Sequence, residues 1–179
     1  MTRHWLYFIP LVGLGLLAVY LSAGLNQNPA KIKSVLINKK VPEFSLPPIE
    51  GSLQGLSNLD LEKRVVLVNI FGSWCVSCSI EHPFLMKLKA SNTIPIYGIN
   101  WREPDRTSGP RWLKKFGNPY TLIGDDPESL GAIAFGVMGA PETFIVDKQG
   151  VIRFKHTGPI TKKNWDETLK PILEELKIK

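Results

Sequence analysis

The only two cysteines of this 179-residue chain are Cys75 and Cys78. The apolar segment 65–71 precedes them, and a helix-like pattern follows from Ile80 to Leu88. A Cys-x-x-Cys pair at a strand-to-helix turn is the arrangement of a thiol–disulfide redox centre. Residues i and i+3 of a helix are neighbours, so this pair can close a small disulfide ring or stand open as a dithiol.

The two thiols are predicted to play different parts. Cys75 would lie at the N-terminus of the helix, where free backbone N–H groups and the helix dipole favour an anion. That position lowers the pKa of the thiol and supplies the thiolate that attacks disulfides. Cys78, one turn further in, is predicted to be more buried and to resolve the mixed disulfide.

Two other uses of the cysteine pair are less consistent with the sequence. Two unrelated core thiols would not need the preceding strand, the adjacent Trp74 or the three-residue spacing. A zinc site needs four ligands. The remaining soft ligands are the three histidines of the chain, His4, His82 and His156. We therefore predict a redox centre with no metal and no cofactor.

Two residues outside the motif could support this chemistry. Glu81 follows Cys78 by three residues and, if partly buried, could exchange a proton with it. The alternative is a solvent-facing glutamate that interacts with the helix dipole. Pro141 comes just before the apolar segment 143–146 and either forms a cis peptide bond or simply begins a strand. The residues alone leave both alternatives open.

The N-terminal residues 5–25 are 21 consecutive positions without a charged side chain. A helix needs about 20 mostly apolar residues to cross the hydrocarbon core. A cleaved signal peptide is the alternative, but residues 21–23 match a cleavage site poorly. We predict a single transmembrane signal-anchor helix at 5–25, with residues 1–4 in the cytoplasm. Positive charges flank this segment on both sides, so the positive-inside rule does not give the orientation of the helix. We predict that the C-terminal domain faces the oxidising side, because a working dithiol is most useful where disulfides form.

Length and composition favour one medium-sized domain behind this segment. The hydrophobic fraction of 44% is sufficient for a core, and the net charge is +6. The basic residues are scattered rather than interleaved with aromatic residues in a stripe, which argues against nucleic-acid binding. Residues 26–40 are predicted to be a linker, and residues 41–179 the folded domain.

The apolar patterns predict an α/β domain with a central mixed β-sheet flanked by helices. Glycines at 51 and 55 indicate a turn between short edge segments, and the residues between Asp147 and Gly150 a hairpin turn. Pro83 and Pro171 are predicted to disturb their helices. Strands are predicted at 65–71, 94–101, 120–123, 143–146 and 151–156, and helices at 73–90, 107–116, 127–135 and 161–176.

Four stretches carry a resemblance to a known family. The sequence resembles the thioredoxin superfamily and, more closely, the membrane-tethered cytochrome c biogenesis proteins called CcmG or DsbE. The Trp-Cys-x-x-Cys pattern marks only the superfamily, whereas Gly-Ala-Pro-Glu-Thr-Phe together with Gly-Asn-Pro-Tyr is much more specific. The stretches are 71–78 with 81–83, 112–120, 136–144 and 151–158.

The resemblance implies a thioredoxin-like fold and a place in cytochrome c maturation. Such proteins keep the haem-binding Cys-x-x-Cys-His cysteines of apocytochrome c reduced. Their electrons come from a membrane reductase of the DsbD or CcdA type. The implied location is the bacterial inner membrane, with one transmembrane pass and the C-terminal domain in the periplasm.

The resemblance also implies residue roles. Cys75 is the attacking thiol, Cys78 the resolving thiol and Pro141 a cis-proline that faces them, with Trp74 supporting the site. Glu81 matches the family's acid–base glutamate. Glu142 matches the acidic character of its active site, and Asn69 occupies the place of the buried aspartate of thioredoxin. Val76 stands where many relatives have another residue, which leaves the redox potential open.

Other functions of this superfamily are alternatives to a role in cytochrome c maturation. A general periplasmic disulfide oxidoreductase or isomerase would share the same motif. A copper-carrying protein would usually have a three-residue gap between its cysteines, and a thiol peroxidase would have a Thr-x-x-Cys pattern that is absent here.

Overall fold

The computed structural model describes residues 8–25 and 35–178, which belong to two compact units, 1–33 and 34–179. The first unit contains helix α1, Phe8–Leu25, whose side chains from 8 to 22 are exposed and largely apolar. Within the described ranges, no helix combines the length and hydropathy that crossing a membrane requires. The predicted transmembrane helix is thus not found, and the predicted cytoplasmic residues 1–4 lie outside these ranges.

The second unit is built on a five-stranded mixed sheet, whose strands are β3 Val66–Phe71, β4 Ile96–Trp101, β5 Leu122–Asp126, β6 Glu142–Val146 and β7 Ile152–Thr157. The strand order is β5-β4-β3-β6-β7. The pairs β3–β4 and β4–β5 are parallel, while β3–β6 and β6–β7 are antiparallel. This confirms the predicted mixed sheet and the predicted hairpin between the last two strands.

The central strand β3 is buried along its whole length, as its apolar sequence predicts. Because side chains alternate across a strand, Leu67 and Phe71 belong to one apolar cluster and Val68 to the other. Asn69 lies on the same side as Leu67 and Phe71. The sheet therefore has an apolar layer on each face.

Helices α2 (Val76–Ala90) and α3 (Ser108–Phe116) contribute to the first cluster, together with the C-terminal helices. The opposite face is covered by α4 (Leu130–Phe135) and by a small antiparallel hairpin. The strands of that hairpin are β1 Ser45–Leu46 and β2 Leu56–Ser57, followed by a 3₁₀ turn at Asn58–Leu61. The predicted turn around the glycines at 51 and 55 is confirmed.

Two boundaries differ from the prediction because of acidic residues at the end of β5. The strand runs to Asp126 rather than ending at Ile123, and α4 begins at Leu130 rather than at Pro127. The carboxylate of Asp126 accepts hydrogen bonds from two backbone N–H groups at the start of α4, at 3.2 and 2.8 Å. A buried carboxylate with such partners is tolerated at a strand end, which the apolar pattern did not indicate.

Pro83 and Pro171, the two prolines predicted to disturb their helices, lie in different local structures. Helix α2 continues past Pro83, although it begins at Val76 rather than at the predicted residue 73. The C-terminal helix was predicted as one piece but consists of α5 (Lys162–Asn164), a π-helical turn and α6 (Lys170–Ile178). The wider turn lies just before Pro171, whose ring would crowd a carbonyl of the preceding turn in a regular α-helix.

The folded domain begins before the predicted boundary at residue 41. Residues 26–34 of the predicted linker lie outside the described ranges, but residues 35–40 pack with the domain. Asn38 N–H donates to Ile152 O at 2.7 Å, and Ile152 N–H donates to Lys39 O at 3.0 Å. Leu36 and Ile37 pack against the second apolar cluster. The last part of the linker therefore forms an edge segment beside β7.

Candidate active site

The turn that follows β3 carries the redox motif. Cys75 N–H donates to the carbonyl of Gly72 at 3.1 Å, which closes a four-residue turn. A side chain on Gly72 would come within 2.5 Å of the indole nitrogen of Trp74, so this close approach requires glycine. Cys75 is the N-cap of α2, and its Sγ accepts a hydrogen bond from Cys78 N–H at 3.1 Å. Cys75 therefore lies at the helix N-terminus, as predicted.

Cys75 and Cys78 form a disulfide with a Cα–Cα distance of 5.2 Å. Both residues are buried, so the predicted contrast in their burial is not seen in this oxidised form. The neighbouring side chains are open to solvent, with Trp74 47% and Val76 78% exposed. The disulfide is thus bordered by apolar surface that a partner polypeptide can contact.

Trp74 is held in place although it is exposed. Its indole N–H donates to the carbonyl of Trp101 at 3.1 Å, and the two indole rings lie 6.0 Å apart between centroids. Trp101 in turn donates its own indole N–H to Ser129 Oγ at 2.9 Å. The end of β4 therefore positions the exposed indole beside the disulfide.

Glu81 is buried at the centre of a polar network. One carboxyl oxygen accepts from Asn69 Nδ2 at 2.8 Å, and the other accepts from Ile160 N–H at 2.8 Å. Burial raises the pKa of Glu81 to about 7, and the bonds from Ile160 and Asn69 act in the opposite direction. This environment excludes the alternative of a solvent-facing glutamate.

Asn69 joins Glu81 to two further side chains. Its Nδ2 also donates to Thr143 Oγ1 at 3.0 Å, and its Oδ1 accepts from the hydroxyl of Tyr120 at 2.7 Å. Burial raises the pKa of Tyr120 well above its usual value, and Glu81 adds to this effect. Sequence reasoning placed Asn69 correctly. It did not assign parts to Thr143 and Tyr120, although both lie in stretches that carried the resemblance.

Pro141 comes directly before β6, and Glu142 is the first residue of that strand, beside the central strand. The Ala140–Pro141 peptide bond is cis, which is the first of the two alternatives that the sequence left open. Glu142 is buried and forms an ion pair with Lys155 at 2.9 Å. Lys155 also donates to Gly136 O at 2.9 Å. The negative charge expected from Glu142 is therefore balanced by a cation that sequence reasoning missed.

The signal that could have revealed Lys155 is weak. Thr157 is the register partner of Glu142, so Lys155 lies two residues from that partner on the same face of the sheet. A lysine in an otherwise half-exposed strand gives no local sign of burial. Only the strand register shows that the two charges meet.

His82 has a structural position rather than a place among metal ligands. Its Nε2 donates to the carbonyls of Phe116 and Gly117 at 3.3 and 3.1 Å, and its ring lies edge-on to Trp112. Burial lowers the pKa of His82, while the two carbonyls oppose this. Over the described parts of the chain, no three His, Cys, Asp or Glu side chains are grouped so as to hold a metal ion.

Comparison with known proteins gives the family of this chain. Residues 36–170 match the Redoxin family. Thiol:disulfide interchange protein DsbE of Pseudomonas aeruginosa is 39% identical over 174 residues, covering 97% of this chain and 96% of that protein. DsbE of Pseudomonas fluorescens is 43% identical, with coverages of 93% and 92%. DsbE of Escherichia coli is 36% identical, with coverages of 83% and 80%.

The chain belongs to the DsbE family of thiol:disulfide interchange proteins. Its fold is thioredoxin-like, and the protein is a thiol–disulfide oxidoreductase whose Cys-x-x-Cys motif contains the Cys75–Cys78 disulfide.

Solved structures show the same fold. The crystal structure of a thioredoxin-family thiol:disulfide interchange protein from Chlorobium tepidum superposes with a TM-score of 0.60 at 25% identity, covering 76% of this chain and 94% of that chain. A DsbF homologue from Corynebacterium diphtheriae gives a TM-score of 0.61 at 22% identity, with coverages of 74% and 86%.

Proposed function

We propose that this protein reduces the disulfide of the haem-binding Cys-x-x-Cys-His segment of apocytochrome c in the bacterial periplasm. The observation that carries the proposal is the Cys75–Cys78 disulfide at the N-terminus of α2 in a chain of the DsbE family. The resemblance to the cytochrome c biogenesis proteins supplies the substrate. A membrane reductase of the DsbD or CcdA type would reduce the Cys75–Cys78 disulfide back to the dithiol.

The chemistry is a two-electron exchange. The Cys75 thiolate attacks one sulfur of the substrate disulfide, forms a mixed disulfide and releases the other substrate sulfur as a thiolate, which takes a proton. The Cys78 thiolate then attacks Cys75 Sγ, and the second substrate thiolate leaves and is protonated. The substrate gains two electrons and two protons, and the protein ends as the Cys75–Cys78 disulfide.

Glu81 is proposed to take the proton that Cys78 loses before it attacks. It lies one turn along α2 from Cys78, on the same side of the helix. A carboxyl group whose pKa is raised to about 7 can gain or lose a proton near neutral pH. We assign Glu81 to proton exchange at Cys78, and Asn69 to holding its carboxyl group in place.

The surface around the disulfide supports a polypeptide substrate. Trp74 and Val76 expose apolar area around the start of α2, and Pro141 comes directly before β6. Glu142 is paired with Lys155, so we propose that it stabilises the loop before Pro141 and does not act as a free acid.

The substrate is tested by trapping the mixed disulfide. The Cys78→Ser variant, expressed in cells that make c-type cytochromes, lacks the resolving thiol, so the substrate should remain attached to Cys75. Mass spectrometry of the disulfide-linked peptides should recover a Cys-x-x-Cys-His peptide. The matched control is the double variant Cys75→Ser/Cys78→Ser, which should trap nothing.

Two results would contradict this function. Recovery of many unrelated periplasmic proteins without a Cys-x-x-Cys-His peptide would indicate a general disulfide oxidoreductase. Normal haem attachment in cells that carry only the Cys75→Ser variant would show that cytochrome c maturation does not depend on this thiol.

The location is a separate part of the proposal. Its support is the uncharged segment 5–25, which we propose to be the membrane anchor. After alkaline carbonate extraction of cells, the full chain should remain in the membrane fraction, and a chain that begins at residue 34 should be released. Release of both chains would contradict membrane anchoring.

A further inference from the structure

The segment after β4 holds the redox turn through a carboxylate. Glu103 Oε1 accepts the backbone N–H of Ser73 at 2.6 Å, and Glu103 Oε2 accepts the Ser73 hydroxyl at 2.5 Å. Two residues earlier, the carbonyl of Trp101 accepts the indole N–H of Trp74 at 3.1 Å. The same short segment therefore contacts two consecutive residues of the turn that ends at Cys75.

The backbone of this segment is shaped to bring Glu103 to the turn. Arg102 adopts a left-handed conformation with φ of 51°, which is strained for a residue other than glycine. Its N–H donates to the carbonyl of Asp126 at 3.3 Å. Pro104 follows Glu103 and restricts its backbone to extended conformations. A strained residue on one side and a proline on the other leave Glu103 little freedom.

We propose that Glu103 is a positioning residue that fixes the turn of the redox motif and, through its negative charge, raises the pKa of Cys75. Ser73 and Cys75 belong to one four-residue turn, so the carboxylate lies within roughly 10 Å of the thiol, about one Debye length. A nearby negative charge disfavours a thiolate. A less stable thiolate makes the dithiol a stronger reductant, in contrast to oxidants whose reduced form is stabilised.

Other ionisable groups lie on the elements that carry or neighbour the motif, and the Glu103 variants leave them unchanged. On α2 they are Cys78 and Glu81, and on the sheet they are Glu142 and its partner Lys155. Arg102, beside Glu103, is exposed and lies over the ring of Trp101 at 5.7 Å. Glu103 differs from the other carboxyl groups because it bonds to the backbone of the turn itself.

The test is the Glu103→Gln variant of the full chain. Glutamine has the same side-chain shape as glutamate. Its oxygen can accept the Ser73 N–H and its NH₂ can donate to the Ser73 hydroxyl, so the substitution removes only the negative charge. We expect the pKa of Cys75, followed by thiolate absorbance in the reduced protein, to fall by about half a unit to one unit. At a pH above the pKa of Cys75, where the thiolate is the main reduced form, the equilibrium with glutathione should shift toward the dithiol by roughly three- to tenfold.

Two further variants distinguish the local charge of Glu103 from the length of its side chain and from the net charge of the protein. Glu103→Asp keeps the charge on a shorter side chain, so its Cys75 pKa should stay closer to that of the wild type than the glutamine variant does. Glu50→Gln removes one negative charge from an exposed loop between β1 and β2 and should leave the Cys75 titration unchanged. The proposal is overturned if Glu103→Gln does not move the titration, or if Glu50→Gln moves it equally.

Discussion

Glu81 shows at the scale of one residue how burial changes the chemistry of a common side chain. Both of its carboxyl oxygens accept hydrogen bonds, from Asn69 and from the backbone of Ile160. These bonds favour the ionised form, yet burial has the larger effect and raises the pKa to about 7. The sequence placed Glu81 one turn from Cys78, and the fold decides that it titrates near neutral pH.

The stability of the oxidised protein should therefore depend on the ionisation of Glu81. Its pKa is about 7 when folded and near 4.5 when unfolded, so the folded state binds more protons in between. This contribution is fully present below about pH 4.5 and is lost as pH rises through about 7, a change of about 3 kcal/mol. Urea unfolding of the wild type and of Glu81→Gln at several pH values measures it.

The Glu81→Gln variant should be less stable at acidic pH, because one of the two N–H donors then faces an amide NH₂. Its stability should, however, fall less than that of the wild type between about pH 4 and pH 8. His82 and His156 have lowered pKa values and act in the opposite direction, but both proteins contain them, so their effects cancel in the difference. Parallel pH profiles for the two proteins would contradict the assignment.

At the scale of elements, the ion pair of Glu142 and Lys155 joins β6, β7 and the loop before Pro141. The two side chains are 1% and 9% exposed. Lys155 also donates to Gly136 O, and the N–H of Met138 donates to Glu142 at 3.3 Å. The pair therefore contacts the loop at Gly136 and at Met138.

Replacing Lys155 by methionine should be strongly destabilising. The Glu142 carboxylate would remain buried without its counterion, which typically costs about 3–5 kcal/mol. The free energy of unfolding in urea measures this loss. The double variant Lys155→Met/Glu142→Gln should recover much of it, because no buried charge is then left.

The matched control is Lys162→Met. Lys162 pairs with Asp166 on the surface, where its side chain is 83% exposed. An exposed pair of this kind contributes less than about 1 kcal/mol. An equal loss of stability in the two single variants would show that the buried Glu142–Lys155 ion pair contributes no more than an exposed one.

At the scale of the whole molecule, the folded domain includes residues that look like a linker in the sequence. Lys39 and Asn38 hydrogen-bond to Ile152, and Val41 N–H donates to Gly150 O at 2.9 Å. With Leu36 and Ile37 packed against the core, this segment covers the edge beside β7. The boundary of the domain therefore lies near residue 34.

Two truncated chains test this boundary. A chain that starts at residue 34 should melt at the same temperature as the full chain. A chain that starts at residue 41 loses edge hydrogen bonds and two apolar side chains, which together contribute about 2–3 kcal/mol. Its melting temperature, followed by circular dichroism, should be lower by about 5–10 °C. Equal melting temperatures would place the boundary at 41, as the sequence alone predicts.

Short-range patterns in the sequence were sufficient for the reaction class and for most of the scaffold. The three-residue spacing of Cys75 and Cys78 after an apolar strand predicts a redox disulfide at a helix N-terminus. Apolar runs and alternation likewise predict the mixed sheet. Both depend on periodicities of two to four residues, which neighbouring positions display directly.

Only the tertiary structure decides the electrostatic surroundings of that disulfide. Glu81 meets Ile160 across 79 positions, and Ser73 meets Glu103 across 30. Lys155 reaches Glu142 through the register of β6 and β7. Burial and charge pairing depend on which distant residues become neighbours, and local periodicity does not carry that information. The motif therefore predicts the reaction class, while the charges and hydrogen bonds that modify the reactivity of the disulfide depend on long-range contacts.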